Sequence, residues 1–396
     1  MPPHKILVVD DEPDLELLIS QRFRKRIRAN ELDFAFAANG AEALEKLRAD
    51  GQTEVVLTDI NMPVMDGLTL LTRLHENHPM LRSVIVSAYG DMANIRTALN
   101  RGAYDFLTKP IDFQDLEITL DRTIREAGAR RQAAADRESL LSLTKELDVA
   151  RRIQESLVPR TFPPFPERTD FSIYGRMIPA TQVGGDLFDF SLLDDHRLMF
   201  AIGDVSGKGV AAAMLMAVTR TLLRAAARKG MGPGECLHEV NQVLRMERVS
   251  SMFVTAFVGV LDARTGEVEY SNAGHNPPLL IRAGGGVEPT ELTGGLVLGQ
   301  FARATYGVKR TRLAPGESIV LYTDGVTEAM SPEYEQFSDE RFQALLTRLW
   351  GRPAEEQVQA VMEAVSGFAR GAPQSDDITM LNITYAGSGG TEGQPA

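Results

Sequence analysis

Two sets of acidic residues stand along this chain, most of them at or just after the end of an apolar run. The first is Asp10, Asp11 and Asp59, with Ser87 and Lys109 in corresponding positions; the second is Asp186, Asp204, Asp324 and Asp376. An acid at the end of an apolar run projects from a sheet edge. Several acids projecting toward one point gather a hard cation such as Mg²⁺ or Mn²⁺. In the first set a carboxylate could attack a phosphoryl group. Both partners are negative, so that reaction needs a divalent cation held by neighbouring carboxylates. A lysine opposite pairs with the new phosphoryl oxygens, and a hydroxyl hydrogen-bonds to one of them. In the second set four carboxylates cannot stay charged together without cations, and a pair of ions is the economical solution. Two ions could share one water, lower its pKa and clamp phosphoryl oxygens for in-line attack. No Cys or Ser nucleophile with a paired base is evident. The first site is suited to receive a phosphoryl group, the second to remove one.

The elements that must position these residues follow from the apolar pattern. Ile6-Leu7-Val8-Val9, Val55-Val56-Leu57 and Val84-Ile85-Val86 are apolar throughout, as parallel strands buried on both faces are. Helix patterns such as Ala41-Glu42-Ala43-Leu44-Glu45-Lys46-Leu47 alternate with them. The alternation predicts a doubly wound (βα)5 domain with its site at the carboxyl ends of the strands, where all members of the first set fall. From about 116 to 157 there is no proline, and Gly128 is the only glycine. Leu140, Leu143, Leu147, Ala150, Gln154 and Leu157 follow a 3-4-3-4-3 spacing, the seam of a coiled coil. The alternative is a helix packed on its own following domain. Four prolines between 159 and 166 end this helix. Strands are then predicted at 171–177, 186–192, 198–202, 253–261, 268–272, 279–282, 306–313, 318–323 and 378–385. Helices are predicted at 211–228 with 233–246, and at 338–349 with 354–370. Strand clusters with paired helices predict an α/β sandwich, two sheets flanked by helices. The division is 1–122 for the first domain, 123–160 for a helical linker, 161–386 for the second domain and 387–396 for a disordered tail of small and polar residues.

Composition narrows the classes. At 396 residues the chain is long enough for two or three domains. The net charge of −12 disfavours nucleic acid or an anionic membrane as the main partner. There is no run of 18 apolar residues and no signal-peptide pattern, which predicts a cytoplasmic protein. The lone Cys236 excludes an intrachain disulfide and reads as a core thiol; with six His, a structural zinc site is not expected. Trp350 reads as core filler.

Val9-Asp10-Asp11-Glu12, Asp59-Ile60-Asn61-Met62-Pro63-Val64-Met65-Asp66-Gly67, Ser87-Ala88 and Gly102-Ala103-Tyr104-Asp105-Phe106-Leu107-Thr108-Lys109-Pro110 together resemble the signature of response-regulator receiver domains. The resemblance covers about 4–122. It implies that Asp59 is the phosphoacceptor and that Asp10, Asp11, Asp59 and the Asn61 carbonyl surround Mg²⁺. It also implies that Ser87 and Phe106 form a switch pair, that Lys109 contacts the phosphoryl group and that a sensor histidine kinase is a partner. Many receivers carry Tyr where this chain has Phe106.

Val183-Gly184-Gly185-Asp186, Ile202-Gly203-Asp204-Val205-Ser206-Gly207-Lys208-Gly209, Leu321-Tyr322-Thr323-Asp324-Gly325-Val326 and Ser375-Asp376-Asp377-Ile378-Thr379 resemble the metal-dependent serine/threonine phosphatases of the PPM superfamily. The similarity is to the SpoIIE and RsbU branch. Ala150-Arg151-Arg152-Ile153-Gln154-Glu155-Ser156-Leu157-Val158-Pro159, Met252-Phe253-Val254-Thr255 and Asn272-Ala273-Gly274-His275-Asn276-Pro277-Pro278 support it. It implies two Mn²⁺ or Mg²⁺ ions bridged by Asp204. Asp186 and the Val205 carbonyl would complete one coordination sphere, and Asp324 with Asp376 the other, Asp377 being a further neighbour. Arg176 is the only nearby candidate for a phosphate-binding arginine. His275 is either a proton donor to the leaving oxygen or structural; Lys208 lacks the spacing of a nucleotide-binding loop.

The expected function is a response regulator whose output is dephosphorylation of phosphoserine or phosphothreonine on a protein. The resemblance implies a STAS-type anti-sigma-factor antagonist as substrate, in a sigma-factor partner-switching pathway, and the seam implies a homodimer. A non-catalytic adaptor under receiver control is the alternative. A DNA-binding regulator is disfavoured by charge and by the absence of a basic recognition helix.

Overall fold

The computed structural model describes residues 2–88, 91–246 and 252–387. It separates into two compact units, Met1–Leu143 and Thr144–Ala396. Of the expected disordered tail, residues 388–396 lie outside the described residues.

The first unit is built on five parallel strands: β1 (His4–Val9), β2 (Leu32–Ala37), β3 (Val55–Asp59), β4 (Arg82–Ala88) and β5 (Asp105–Lys109). Their order is β2-β1-β3-β4-β5. The intervening helices are α1 (Pro13–Arg22), α2 (Arg24–Arg28), α3 (Gly40–Ala49), α4 (Gly67–Asn77) and α5 (Met92–Asn100). Successive side chains of a strand point to opposite faces, and both faces are covered. Ile6 and Val8 pack with Leu15 and Ile19 of α1, while Leu7 and Val9 pack with Ala43 and Leu47 of α3 and Leu70 and Leu74 of α4. Helix starts are set locally. Pro13 opens α1, Asn39 accepts from the amides of Ala41 and Glu42 at 3.0 Å, and Asp66 accepts from Thr69 at 2.7 Å.

Helix α6 (Phe113–Leu157) is longer than the 123–160 linker expected from sequence, because its first turns belong to the first unit. Leu116, Leu120 and Ile124, spaced for one helix face, are buried in the same cluster as Ile6 and Val8. Thr123 and Ala127 are buried as well. Arg131 is tied by Glu54 at 3.0 Å and the Thr53 carbonyl at 2.7 Å. Burying each Leu or Ile is worth about 1.5–3 kcal/mol, so the start of α6 is part of the first unit's core.

The second unit holds two antiparallel sheets. One has the order β13-β10-β9-β8-β7, from β7 (Leu187–Leu192), β8 (Arg197–Val205), β9 (Val254–Asp262), β10 (Glu267–Ala273) and β13 (Lys309–Arg312). The other has the order β12-β11-β14-β15-β6, from β6 (Phe171–Ile178), β11 (Leu279–Ile281), β12 (Val287–Pro289), β14 (Ser318–Tyr322) and β15 (Ile378–Tyr385). Phe188, Phe200, Ile202 and Phe257 of the first sheet meet Ile173, Ile319, Leu321 and Leu381 of the second in one buried cluster. The outer faces are covered by α7 (Val210–Arg228) with α8 (Pro233–Met246), and by α9 (Asp339–Arg348) with α10 (Ala354–Phe368). This is the expected sandwich of two sheets flanked by helices.

Helix α7 is the one helix among the described residues long and apolar enough to cross a membrane, and Ala212, Leu215, Met216 and Leu223 place its apolar side in the core. Cys236 is a core thiol, its pKa pushed up to about 11 by burial and then by Glu235. Three details differ from the sequence reading. Strand β12 is only three residues long and ends at Pro289, too short for an alternation signal. Strand β13 is shorter than 306–313 because Tyr306 packs into the α7–α8 core. Trp350 is 45% exposed: Leu349 takes the core position at the end of α9, and its neighbour turns outward.

Candidate functional site

The first acid set converges at the carboxyl ends of β1, β3, β4 and β5. Ligand oxygens of Asp10, Asp11 and Asp59 lie within 4.8 Å of one another, the only such group among the described residues. Lys109 Nζ stands opposite, 2.8 Å from Asp59 Oδ2, 2.9 Å from Glu12 Oε1 and 3.2 Å from Asp10 Oδ2. Burial pulls the Lys109 pKa down, but its bonds to Asp59, Glu12 and Asp10 outweigh this and raise it. Burial raises Asp10, against the bonds from the Glu12 amide and Lys109. Asp59 is buried, and its Oδ1 accepts the Ile60 amide at 2.6 Å. Ser87 Oγ is buried with no partner, as a hydroxyl reserved for an incoming oxygen would be. Gly67 has a steric reason: a Cβ there would sit 2.1 Å from the Asp59 carbonyl oxygen. Asn61 is exposed beside the cluster, its amide 3.5 Å from Asp59 Oδ1. Phe106 is 37% exposed on β5, so its ring stands outward here rather than beside the buried Ser87. The donor set, three carboxylates with an orphaned hydroxyl and a lysine, fits one Mg²⁺ and one phosphoryl group.

The second set gathers at one end of the sandwich. Asp186 directly precedes β7, Asp204 lies near the end of β8, Asp324 follows β14 and Asp376 precedes β15. Asp186 is held well above the ordinary carboxylate range by burial, then by Asp204 and Asp377. Asp204 is pushed up to about 7 by burial, then by Asp324 and Asp376. Asp324 is raised by burial and by Asp376. Such shifts mark buried negative charge without a compensating partner. The Val205 carbonyl faces the same turn: a Cβ on Gly185 would stand 2.9 Å from it. Gly325 is equally constrained, since a Cβ would lie 2.0 Å from the Asp377 carbonyl.

Residues 6–121 match the response regulator receiver domain family, and residues 194–386 match the Stage II sporulation protein E (SpoIIE) family. The chain joins a receiver domain to a SpoIIE-family domain. Protein IcfG of Synechocystis sp. is 32% identical over 265 residues, which cover 60% of this chain and 41% of that protein. Phosphoserine phosphatase RsbU of Bacillus subtilis is 27% identical over 216 residues, 54% of this chain and 63% of that one. The chain thus spans less than two thirds of either relative. The SiaA-PP2C domain of Pseudomonas aeruginosa shares the fold, with a TM-score of 0.55 at 23% identity over 62% of this chain and 98% of that domain.

Within the SpoIIE-family domain some expected residues have other tasks. Both oxygens of Asp377 accept backbone amides, Oδ1 from Ala180 at 2.7 Å and Oδ2 from Gly185 at 2.6 Å, so it shapes the Asp186 turn. Arg176 lines a cavity with Gln154 and Phe188 and makes no ion pair with the acids among the described residues. His275 is structural. It is buried, its Nε2 donates to the Tyr322 carbonyl at 3.1 Å and its Nδ1 accepts from Thr255 Oγ at 2.8 Å. Burial pulls it down to about 4, so it stays neutral and ties one sheet to the other near Asp204 and Asp324.

Three residues went unread as site parts. Thr323 Oγ donates to Asp186 Oδ2 at 2.8 Å. Lys208 Nζ lies 3.3 Å from Asp376 and also meets the Ser375 carbonyl, bringing positive charge to the acids. Gln154, expected on a seam facing another chain, is 4% exposed and bonds both ways to the Gly184 backbone. All three lie inside the blocks that carry the phosphatase resemblance, so adjacency was their signal; for Gln154 a heptad-like spacing competed with it.

Proposed function

We propose that this chain is a response regulator that accepts a phosphoryl group on Asp59 and hydrolyses phosphoserine or phosphothreonine in a protein. The observation that carries the reading is the convergence of Asp186, Asp204, Asp324 and Asp376, with the carboxylates of Asp186, Asp204 and Asp324 pushed up by burial and by neighbouring acids. That arrangement is unfavourable unless cations complete it. Asp204 would lie between two Mn²⁺ or Mg²⁺ ions, with Asp186 and the Val205 carbonyl on one side and Asp324 and Asp376 on the other. When bound, the ions supply neutralisation of the phosphate and activation of the attacking water. Thr323 holds Asp186 in orientation, and Lys208 steadies Asp376. In the receiver, Lys109 and Ser87 would take the phosphoryl oxygens on Asp59 while Asp10, Asp11, Asp59 and the Asn61 carbonyl hold Mg²⁺.

The RsbU relative is a phosphoserine phosphatase by name, which supports a phosphoserine substrate. The partners of this reading are a sensor histidine kinase, a phosphorylated STAS-type antagonist and a second copy of the chain. The exposed Leu143 of α6 supports the last. The experiment is release of phosphate from a phosphoserine STAS protein with Mn²⁺, with and without acetyl phosphate. Mn²⁺-dependent release whose rate changes with acetyl phosphate is expected. Tight binding of that protein without release would instead establish the adaptor.

A further inference from the structure

Strand β7 is the outer strand of its sheet, and alternate residues on it face α7. Leu187 fills that face with an apolar side chain; Asp189 and Ser191 break the pattern and are buried there, 1% and 8% exposed. Opposite them, α7 carries Arg220, Arg224 and Arg228, four residues apart and therefore in one row. Arg220 Nη2 donates to Asp189 Oδ1 at 3.1 Å, and Arg224 Nε lies 3.3 Å from Asp189 Oδ2 without hydrogen-bond alignment. Arg224 Nη2 donates to the Phe190 carbonyl at 3.2 Å. One carboxylate thus answers two guanidiniums. Arg220 Nε, Ser191 Oγ, Arg224 Nε and Asp189 Oδ2 are buried without hydrogen-bond partners, the last two facing each other at 3.3 Å. Arg220 itself is only 8% exposed, and burial followed by Arg224 lowers its pKa.

These groups open onto a cleft of about 640 Å³ whose far wall is the end of α6 and the segment carrying Arg160, Pro164 and Phe165. Arg160 pairs with Glu155 at 2.9 Å, and Arg228 has no ion pair among the described residues. Among the described residues these four arginines pair with two acids, Asp189 and Glu155, in a chain whose net charge is −12. Guanidinium forks match phosphate oxygens, and a cleft this size holds more than a bare ion. It flanks the carboxyl half of β7, whereas Asp186 precedes the strand, so it is separate from the acid site.

We propose that this cleft binds a small organic phosphate, its dianionic head on Arg224, Arg228, Arg220 Nε and Ser191 Oγ and its body against Phe165 and Pro164. The inference is independent of the phosphatase reading. The test is calorimetric titration of the full chain, stripped of metal with EDTA at low salt, with inorganic phosphate, ribose 5-phosphate and adenosine 5′-monophosphate. One-site binding is expected, at least tenfold tighter for one ester than for inorganic phosphate. Arg224→Gln and Arg228→Gln should each weaken it at least tenfold; Lys229→Gln and Asp204→Asn should leave it unchanged. Because Arg228 has no ion pair or side-chain hydrogen bond among the described residues, its variant keeps the test decisive even if Arg224→Gln unfolds. No saturable binding, or binding indifferent to Arg228→Gln, overturns the proposal; equal affinity for inorganic phosphate overturns its organic part.

Discussion

Gln154→Leu is the substitution that most directly probes how the second site is held. The Gln154 side chain donates to the Gly184 carbonyl at 2.6 Å and accepts the Gly184 amide at 3.0 Å. Gly184 opens the turn that sets Asp186, and the next amide, Gly185, donates to Asp377 at 2.6 Å. Leucine keeps roughly the volume but strands two backbone groups in a buried place. Each costs about 1–3 kcal/mol when left unsatisfied, giving about 2–6 kcal/mol in all. At about 2–4 °C per kcal/mol for a unit of this size, melting of the second unit should fall by about 4–24 °C. A loosened Asp186 turn should also raise the half-saturating Mn²⁺ concentration about tenfold, the usual scale for losing support behind a ligand. Scanning calorimetry and a Mn²⁺ titration of phosphatase rate measure the two effects, while acyl phosphate formation on Asp59 stays normal. A melting shift under about 2 °C with an unchanged Mn²⁺ response would show that water replaces the amide and that the reasoning fails.

The remaining expectations are simpler. Asp204→Asn should abolish Mn²⁺-dependent hydrolysis while circular dichroism stays near wild type; retention of more than about a tenth of the rate, a loss under roughly 1.4 kcal/mol, contradicts the role assigned to Asp204. Burial pushes Asp204 up to about 7 in the folded chain, so the metal-free fold binds a proton that the unfolded chain releases at lower pH. Its contribution is most favourable below the unfolded pKa and declines as pH rises toward 7. Metal-free protein should therefore melt lower at pH 7.5 than at pH 5.5, and Asp204→Asn should shrink that gap. Asp59→Asn should lose the acid- and base-labile modification formed with acetyl phosphate and Mg²⁺, and mass spectrometry locating it on another acid would sink the assignment. Leu140→Glu with Leu147→Glu should uncouple receiver phosphorylation from both dimer population and phosphatase rate, read by sedimentation and kinetics, while basal hydrolysis persists.

The legible parts of this molecule are those where local chemistry and tertiary structure agree. Wholly apolar runs such as Val55-Val56-Leu57 have one use, a strand covered on both faces, and the acids at their ends mark the site. Asp186, Asp204, Asp324 and Asp376 stand at strand ends or starts beside glycine or polar residues, and the structure gathers them at one end of the sandwich. The unread parts depend on which partner a side chain meets. Gln154 suits a seam by spacing, yet an amide can satisfy a buried backbone pair, and the Gly184 peptide offers one. Asp377 and Asp376 are adjacent and chemically identical; only the amides of Ala180 and Gly185 decide that Asp377 serves the backbone. Ser191 and the arginines of α7 carry no signal until the helix is laid on its strand.

Asp377 also sets a timetable. Its bond to the Ala180 amide joins residues 197 apart, and β15 lies between β14 and β6 in its sheet. At about 5–20 residues per second of synthesis, β6 waits on the order of 10–40 s for the strand that pairs with it. Until then its edge is bare and Asp186 lacks its anchor, so a nascent or truncated chain ending before Asp376 carries a finished receiver and no hydrolytic centre. On the proposed function, such a chain would accept phosphoryl groups on Asp59 without hydrolysing any substrate. A ribosomal stall or clip in this last stretch would then produce a competitor of the intact protein, not merely a loss of it.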